Sequence, residues 1–316
     1  MTASSVQTIA PLRADERGAG QRRRSPLLTV AVCLAPAVLL YLLFLVFPIL
    51  QALYFSLFRW NGFGPAVDFV GLSNYVRVLS DVVFLRSVAH AGAIVLLSLG
   101  LQLPLSLGLA LLVGRDLPGR AFFRAIFFLP FVLSEVMTGL IWASLYNPDP
   151  EYGLLNAILV NFGLKAQTWL GDPHQVLLAV FAALTWKFFG LHMLLYLAGL
   201  QNIPREVEEA AEIDGASRGQ SLLYVTLPLL GPTIRLTVYL SVLGSLQQFG
   251  LVWVMSQGGP VHASEMLATY LYHASFVQFA FGYGSAVALV MLVICLVFSV
   301  GYQRLAMRQD FEGVGD

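Results

Sequence analysis

The chain has 316 residues, 58% of them apolar and only 11% charged, and its mean hydropathy is +0.75. A water-soluble domain carries roughly a quarter charged residues, so this composition excludes an ordinary soluble globular fold. Lys plus Arg number 18 and Asp plus Glu number 18, leaving no net charge to draw the chain to nucleic acid.

From the N-terminus, Met1 to Pro26 is polar, includes Arg22-Arg23-Arg24 and has no apolar period, which predicts a disordered tail. Leu27 to Phe58 then runs without a formal charge. That is too long for the ~7–15-residue core of a cleavable signal and long enough for a membrane span of about 20 residues. Five further runs qualify: Ser87 to Gly114, Ala125 to Tyr146, Gln175 to Leu200, Leu236 to Trp253 and Tyr283 to Tyr302. The expectation is an all-α polytopic membrane protein with six transmembrane helices over 27–307 and a short tail at 308–316. Cys33 and Cys295 both fall in apolar runs and read as packing residues rather than as a disulfide or metal ligands.

Orientation follows from the basic residues, which favour the cytoplasmic side. With the N-terminus inside, the inner segments hold Arg13, Arg17, Arg22, Arg23, Arg24, Arg115, Arg120, Arg124, Arg205, Arg218, Arg235, Arg304 and Arg308, whereas the outer ones hold Arg59, Arg77, Arg86 and Lys165. Both termini are therefore expected in the cytoplasm. Of the outer segments, Phe69 to Val83 places Leu72, Val76, Leu79 and Val83 at helical spacing and predicts a helix lying on the membrane surface. Leu154 to Leu164 is apolar but too short to span, and Met266 to Phe281, after the Gly258-Gly259-Pro260 break, reads as another surface helix.

A charge inside a span is costly and marks a pathway or a buried pair. Glu135 and Lys187 fall near the middle of the third and fourth runs, and a mutual ion pair is the favoured reading over solute contact. A solute rich in hydroxyl groups needs amide hydrogen bonds and aromatic faces. Gln247, Gln248, Phe249, Trp253, Trp142 and Tyr146 supply that chemistry, with Trp186, His192 and Tyr196 on the fourth run. The competing reading makes the aromatic residues interface anchors and the glutamines interhelical bonds. Pro36, Pro48, Pro104 and Pro130 are expected to kink spans, while Gly100, Gly108 and Gly139 are expected at close helix contacts.

The longest polar break in the C-terminal half runs from Pro204 to Pro232. Pro204 suits a first helical turn, Glu206, Glu208 and Glu209 favour the positive end of the helix dipole, and Asp214-Gly215 is a stop signal. Ser217 with Gln220 forms a capping box for a second helix that Leu227-Pro228 is expected to end. Gly215-Ala216-Ser217-Arg218-Gly219 also satisfies a hydrolase nucleophile pattern. That pattern requires a strand–turn–helix elbow, which this context lacks.

Glu209-Ala210-Ala211, then Gly215, then Val225-x-Leu227-Pro228, resembles the EAA loop of binding-protein-dependent ABC importer permeases, with Val225 where Ile is usual. Phe69-Val70-Gly71-Leu72-x-Asn74-Tyr75, Gly153-Leu154-Leu155-Asn156, Gly258-Gly259-Pro260 and Gly282-Tyr283-Gly284-Ser285-Ala286 extend the resemblance from about Leu27 to Met307, with the last two suggesting the first permease of carbohydrate importers such as those for maltose or glycerol phosphate. The resemblance implies a type I importer fold, a bacterial or archaeal cytoplasmic-membrane location, and a coupling loop at 204–230. In it Glu206, Glu209, Ala210, Ala211, Asp214, Gly215, Leu227 and Pro228 meet an ATPase. It further implies a second permease subunit, two ATPase subunits and an external solute-binding protein as partners. ATP and Mg belong to the ATPase, because this chain has no G-x-x-x-x-G-K-[ST] loop and no cofactor of its own is expected. Two other classes compete. A secondary transporter would often carry an inverted repeat with broken helices, and none is evident. An intramembrane enzyme would need a nucleophile with a base or a metal motif, and the five histidines form no H-E-x-x-H.

Overall fold

The computed structural model describes residues 26–114 and 119–307. The tails expected at 1–26 (Pro26 apart) and 308–316, and Arg115, lie outside these residues. The chain divides into two units, 1–50 and 51–316. The first carries α1 (Pro26–Tyr41), a π turn at Leu42–Val46 and the start of α2 (Phe47–Phe55). The stretch Val32–Phe55 is long and apolar enough to cross a membrane.

In the second unit, α3 (Ser73–Ser80) leads into α4 (Val82–Leu97), which continues through a π turn at Ser98–Gln102 into α5 (Leu103–Gly114). Then come α6 (Arg120–Val132), α7 (Glu135–Leu145), α8 (Leu154–Asn161) and the long α9 (Val176–Gln201). The polar break contains α10 (Arg205–Ile213), α11 (Arg218–Ser221), a π turn at Leu222–Thr226 and α12 (Leu227–Leu229). Last are α13 (Gly231–Leu246), α14 (Gly250–Met255), α15 (Leu267–Tyr272) with a π turn at His273–Val277, and α16 (Phe281–Ala306). No strand forms among the described residues beyond a single bridge pair, Phe58 with Phe69, so the hydrolase elbow has no sheet to stand on.

Among the described residues, four helices are long and apolar enough to span a membrane, and up to six if two bent pairs each count as one span. Kinks are expected at prolines, and the two sharpest bends fall at junctions between helices. The third run breaks by 97° between α6 and α7, and the segment Arg218–Leu229 meets α13 at 66°. The fifth run falls in α13, which qualifies as a span only together with Arg218–Leu229, and Trp253 lies beyond a helix break at 247–249.

Prolines account for less of this bending than their kinking tendency suggests. Pro36 sits within α1, and Val82–Gly114 remains one span through Pro104. In three places the amide that closes a π turn belongs to the residue just before a proline. Phe47 N bonds Leu42 O ahead of Pro48, Leu103 N bonds Ser98 O ahead of Pro104, and Leu227 N bonds Leu222 O ahead of Pro228. The turn widens by one residue just before a ring that would crowd the carbonyl four residues back.

The main core joins Phe84, Ala91 and Ile94 of α4 to Val180 and Leu184 of α9, and to Leu251, Leu267 and Val287. A second cluster joins Ala110, Met193, Tyr196 and Leu197 around Leu230. The stretch expected as a surface helix at 266–281 is internal in its first part, with Leu267, Thr269 and Ala274 buried, while Phe276, Val277 and Phe279 stay exposed. By contrast, α3 turns Asn74 and Val78 inward and leaves Leu72, Val76 and Leu79 exposed, so its apolar stripe is free.

Candidate coupling element and solute path

Local signals build the 204–230 segment. Pro204 is the cap rather than the first helical residue, extended at φ −60°, ψ 135°, and α10 begins at Arg205 with Glu206 and Glu208 in its first turn. Gly215 ends the helix at φ +86°, a conformation an L side chain rarely adopts. Its turn closes with Ala216 N donating to Ala211 O at 2.9 Å and Gly215 N to Glu212 O at 3.1 Å. Ser217 caps α11, and Ser217 N donates to Gln220 Oε1 at 2.8 Å, completing the expected capping box. The second helix runs past Pro228 to Leu229, because the preceding π turn accommodates the proline.

Thr226 Oγ1, buried, donates to Glu208 Oε1 at 3.2 Å, which pins α10 against the second helix. Glu206, Glu209, Ala210, Asp214 and Pro228 are exposed, whereas Ala211 and Leu227 are half-buried. Val207, Ile213, Leu223 and Tyr224 are also exposed, with Ile213 at 85%. An apolar and acidic surface is thus presented on a segment joined directly to α9 at one end and α13 at the other.

The candidate solute-path residues separate into two groups. Phe249, in the break between α13 and α14, stacks on Trp253 at 5.7 Å and 14°, and Tyr272 lies 4.5 Å from Trp253, ring centre to ring centre. Gln248 is buried, and its Nε2 has no hydrogen-bond partner among the described residues. Gln247 is exposed and reaches Cys295 Sγ at 3.9 Å. These residues come together at one helix break. Trp142 and Tyr146, however, belong to a packed cluster with Trp169 and Trp186. Tyr146 is 4% exposed and its hydroxyl donates to Ala179 O at 3.0 Å, so it serves the core. Tyr196 is likewise committed, accepting from Thr237 Oγ1 at 2.8 Å, while His192 is buried in α9.

Glu135 and Lys187 do not form the expected ion pair. Lys187 Nζ instead donates to Leu133 O and, at 3.5 Å, to Phe131 O. Those carbonyls are available because α6 ends at Val132, so the buried ammonium satisfies the groups that the 97° bend frees. Glu135 opens α7 behind the Ser134 cap, and its carboxylate lies against Gly250, where an added Cβ would fall 2.0 Å from Oε2. Gly139 makes the next close approach between the same helices, to Val254. Gly190 is tighter still, since a Cβ there would meet Phe127 O at 1.9 Å. Gly100 and Gly108 face open space and carry no such contact.

A further cluster went unread in the sequence. Glu265 is fully buried and accepts from His262 Nδ1 at 2.8 Å and His273 Nδ1 at 3.2 Å, while His90 Nδ1 donates to its backbone carbonyl at 3.0 Å. Ser264 bonds Ser256 and Gly259 O beside it. Glu265 thereby ties α4 and the 256–264 turn to the π turn after α15, and His273 in turn packs against Trp253 at 5.2 Å. The signal was a lone acid among histidines three residues before and eight after.

The comparisons agree with this architecture. A family model described as binding-protein-dependent transport system inner membrane component matches residues 17–310. A probable ABC transporter permease protein of Pyrococcus horikoshii is 37% identical over 284 residues, covering 89% of this chain and 96% of that protein. The trehalose/maltose transport system permease protein MalF of Thermococcus litoralis is 34% identical, covering 87% and 92%. The sn-glycerol-3-phosphate transport system permease protein UgpA of Agrobacterium fabrum is 33% identical, covering 88% and 94%. In fold, the chain matches a crystal structure of a bacterial ABC transporter involved in the import of the acidic polysaccharide alginate, with a TM-score of 0.79, 22% identity, and coverage of 89% and 96%. With this fold, this run of spans and these relatives, the chain belongs to the inner membrane components of binding-protein-dependent transport systems.

Proposed function

We propose that this chain is a permease subunit of an ATP-driven, binding-protein-dependent importer that moves a carbohydrate across the cytoplasmic membrane of a bacterium or archaeon. Its partners in this reading are a second permease subunit, two ATPase subunits that hold ATP and Mg, and an external solute-binding protein. The chain itself contributes no catalytic group. The observation that carries the reading is the exposed 204–230 segment, joined directly to α9 and α13.

A push on the exposed face of α10 passes to α12 through the Glu208–Thr226 bond. It reaches α13 through Leu230, which is 1% exposed and seated among Ala110, Met193, Tyr196 and Leu197. Because α13 ends at the Gln247–Phe249 break, motion of α13 alters the setting of Gln248, Phe249 and Trp253. Packed cores are bistable rather than continuously deformable, so such a push selects between two arrangements. The aromatic faces suit the apolar side of a sugar ring, and the unpartnered amide of Gln248 supplies a hydroxyl-reading group. Several relatives carry sugar names, including an arabinooligosaccharides transport system permease protein of Bacillus subtilis, which supports a carbohydrate cargo.

The test is affinity purification of the tagged chain from its own host's membranes in mild detergent, with partners identified by mass. A P-loop ATPase and a second six-span permease are expected in the particle, and Glu209→Lys is expected to release the ATPase. Recovery of the chain alone, still moving solute in vesicles without ATP, would overturn the reading in favour of a secondary transporter.

A further inference from the structure

An open cavity of about 460 Å³ lies between the 59–70 loop, α3 and the start of α16. It stands at the far end of α16 from the 204–230 segment. The 26 residues of α16 run about 39 Å at 1.5 Å per residue, and near its other end Tyr302 donates to Arg235 O at the base of α13.

The groups facing this cavity are unequally committed. Asn74 Nδ2 already donates to Ser56 O and Phe58 O, Trp60 Nε1 donates to Gly64 O, and Asn61 Oδ1 accepts from Phe63 N. The Asn74 amide N–H, the indole N–H of Trp60 and the Asn61 carbonyl are thus occupied within the chain. The two guanidinium groups are not. Arg59 reaches Asp68 only at 3.7 Å, with its side chain 80% exposed. Arg77 lies over the Tyr283 ring at 4.5 Å and makes no ion pair among the described residues. Stacking leaves its N–H edge free to bind a carboxylate through two parallel hydrogen bonds. Around the two arginines stands a rim of exposed apolar side chains, Phe63, Val67 and Phe279.

Arginine set within exposed aromatic residues is the composition of a protein–protein anchor point. A small-ligand site would instead enclose its ligand among buried polar groups. We propose that this cavity is a docking socket for an acidic side chain of the solute-binding protein, with Arg59 and Arg77 gripping the carboxylate and Phe63, Val67 and Phe279 closing around it. The inference rests on the importer reading and on the orientation that puts the 59–86 segment outside. Charge complementarity of this kind steers encounter and sets register, so the socket positions the loaded protein over the spans before the sugar is released.

The experiment uses the complete complex in lipid vesicles. ATP hydrolysis is measured against the concentration of the sugar-loaded binding protein that supports uptake in those vesicles. The double variant Arg59→Glu/Arg77→Glu is expected to raise the half-saturating concentration at least tenfold. The maximal rate at saturation should stay within twofold, and the salt dependence should flatten. Arg77→Lys, which keeps the charge but loses the stacked two-bond grip, should raise the half-saturating concentration to a value between those of wild type and the double variant, and an Asp→Arg or Glu→Arg change at the facing position of the binding protein should restore docking to the double variant. An unchanged half-saturating concentration would overturn the socket while leaving the importer reading intact. Wild-type complex that ignores the binding protein would overturn both. Loss of the second permease subunit from the double variant would place the cavity in a subunit interface and overturn the proposal. So would binding of radiolabelled glucuronate to the complex without binding protein, if the double variant abolished it, because the cavity would then be a small-molecule site.

Discussion

The 204–230 segment and the broken spans around Gln247–Phe249 solve opposite problems. The first lies exposed, so its shape comes from signals each residue carries locally: a proline cap, an acidic first turn, a left-handed glycine and a Ser–Gln box. The second is packed against α7 and α15, and its shape comes from what surrounds it: Glu135 on Gly250, Val254 on Gly139, and Glu265 between two histidines. A local element can move as a body because little of it is packed. A tertiary element can hold two arrangements only if its neighbours can be repacked in both.

The sharpest way to break that contrast is to crowd the packed region. Gly190→Ala sets a methyl against the backbone oxygen of Phe127 and is expected to cost about 3 kcal/mol, read as loss of monodisperse protein in detergent and a lower unfolding temperature. Gly100→Ala, where no neighbour stands within 4 Å, is expected to be neutral or to stabilise by up to ~1 kcal/mol through helix propensity. Equal losses at the two sites would contradict the packing.

Removing the Glu265 carboxylate comes next. Glu265→Ala leaves His262 and His273 without their acceptor and is expected to destabilise by roughly 2 kcal/mol. Glu265→Gln, which keeps one acceptor oxygen, should cost less. Hydrogen exchange of the 256–278 backbone checks it, and unchanged protection would remove its clasping role.

Lys187→Met tests the bend between α6 and α7. It leaves the carbonyls of Leu133 and Phe131 without their shared donor, at an expected cost of about 1–3 kcal/mol. Glu135→Gln should not rescue it, since the two side chains do not pair directly; rescue by the double variant would restore the ion-pair reading.

The exposed segment should respond differently. Gly215→Pro forbids φ +86° and is expected to abolish uptake while membrane insertion and thermal stability stay close to wild type. The smallest effect is expected from Glu208→Gln, which weakens the bond to Thr226 by about 0.5–1 kcal/mol and should slow ATP-driven uptake a few-fold. Normal uptake with Gly215→Pro would remove the coupling role.

This division explains what could be read from the sequence. The apolar runs and the capping box were legible because membrane hydropathy and helix caps act within a few residues. Pro130 predicts a kink in the third run, but the sign of a 97° break between two helices is Ser134-Glu135, a cap followed by an acid, which reads equally as a charge buried in mid-span. Glu135 and Lys187 fall at matching depth in the third and fourth runs, but the break after Val132 supplies Lys187 with carbonyl partners that a continuous helix would not free. The first part of the Met266–Phe281 stretch is buried although it carries polar groups, because those groups bond inward: Thr269 Oγ1 accepts from Met266 N at 2.8 Å, and Tyr270 shares a 2.7 Å hydroxyl contact with Tyr283. Close-approach glycines such as Gly190 and Gly250 are indistinguishable in sequence from Gly100, because only the neighbouring helix decides which are crowded.

The most direct test is uptake in vesicles. The purified particle is reconstituted with the solute-binding protein and its labelled sugar outside, and sugar entry and ATP hydrolysis are followed together for wild type and for Gly215→Pro. We expect wild-type entry to require both ATP and the binding protein, and the variant to keep the particle intact while entry falls at least tenfold. Entry driven by an ion gradient without ATP, or equal entry in the variant, would contradict an importer worked through the 204–230 segment.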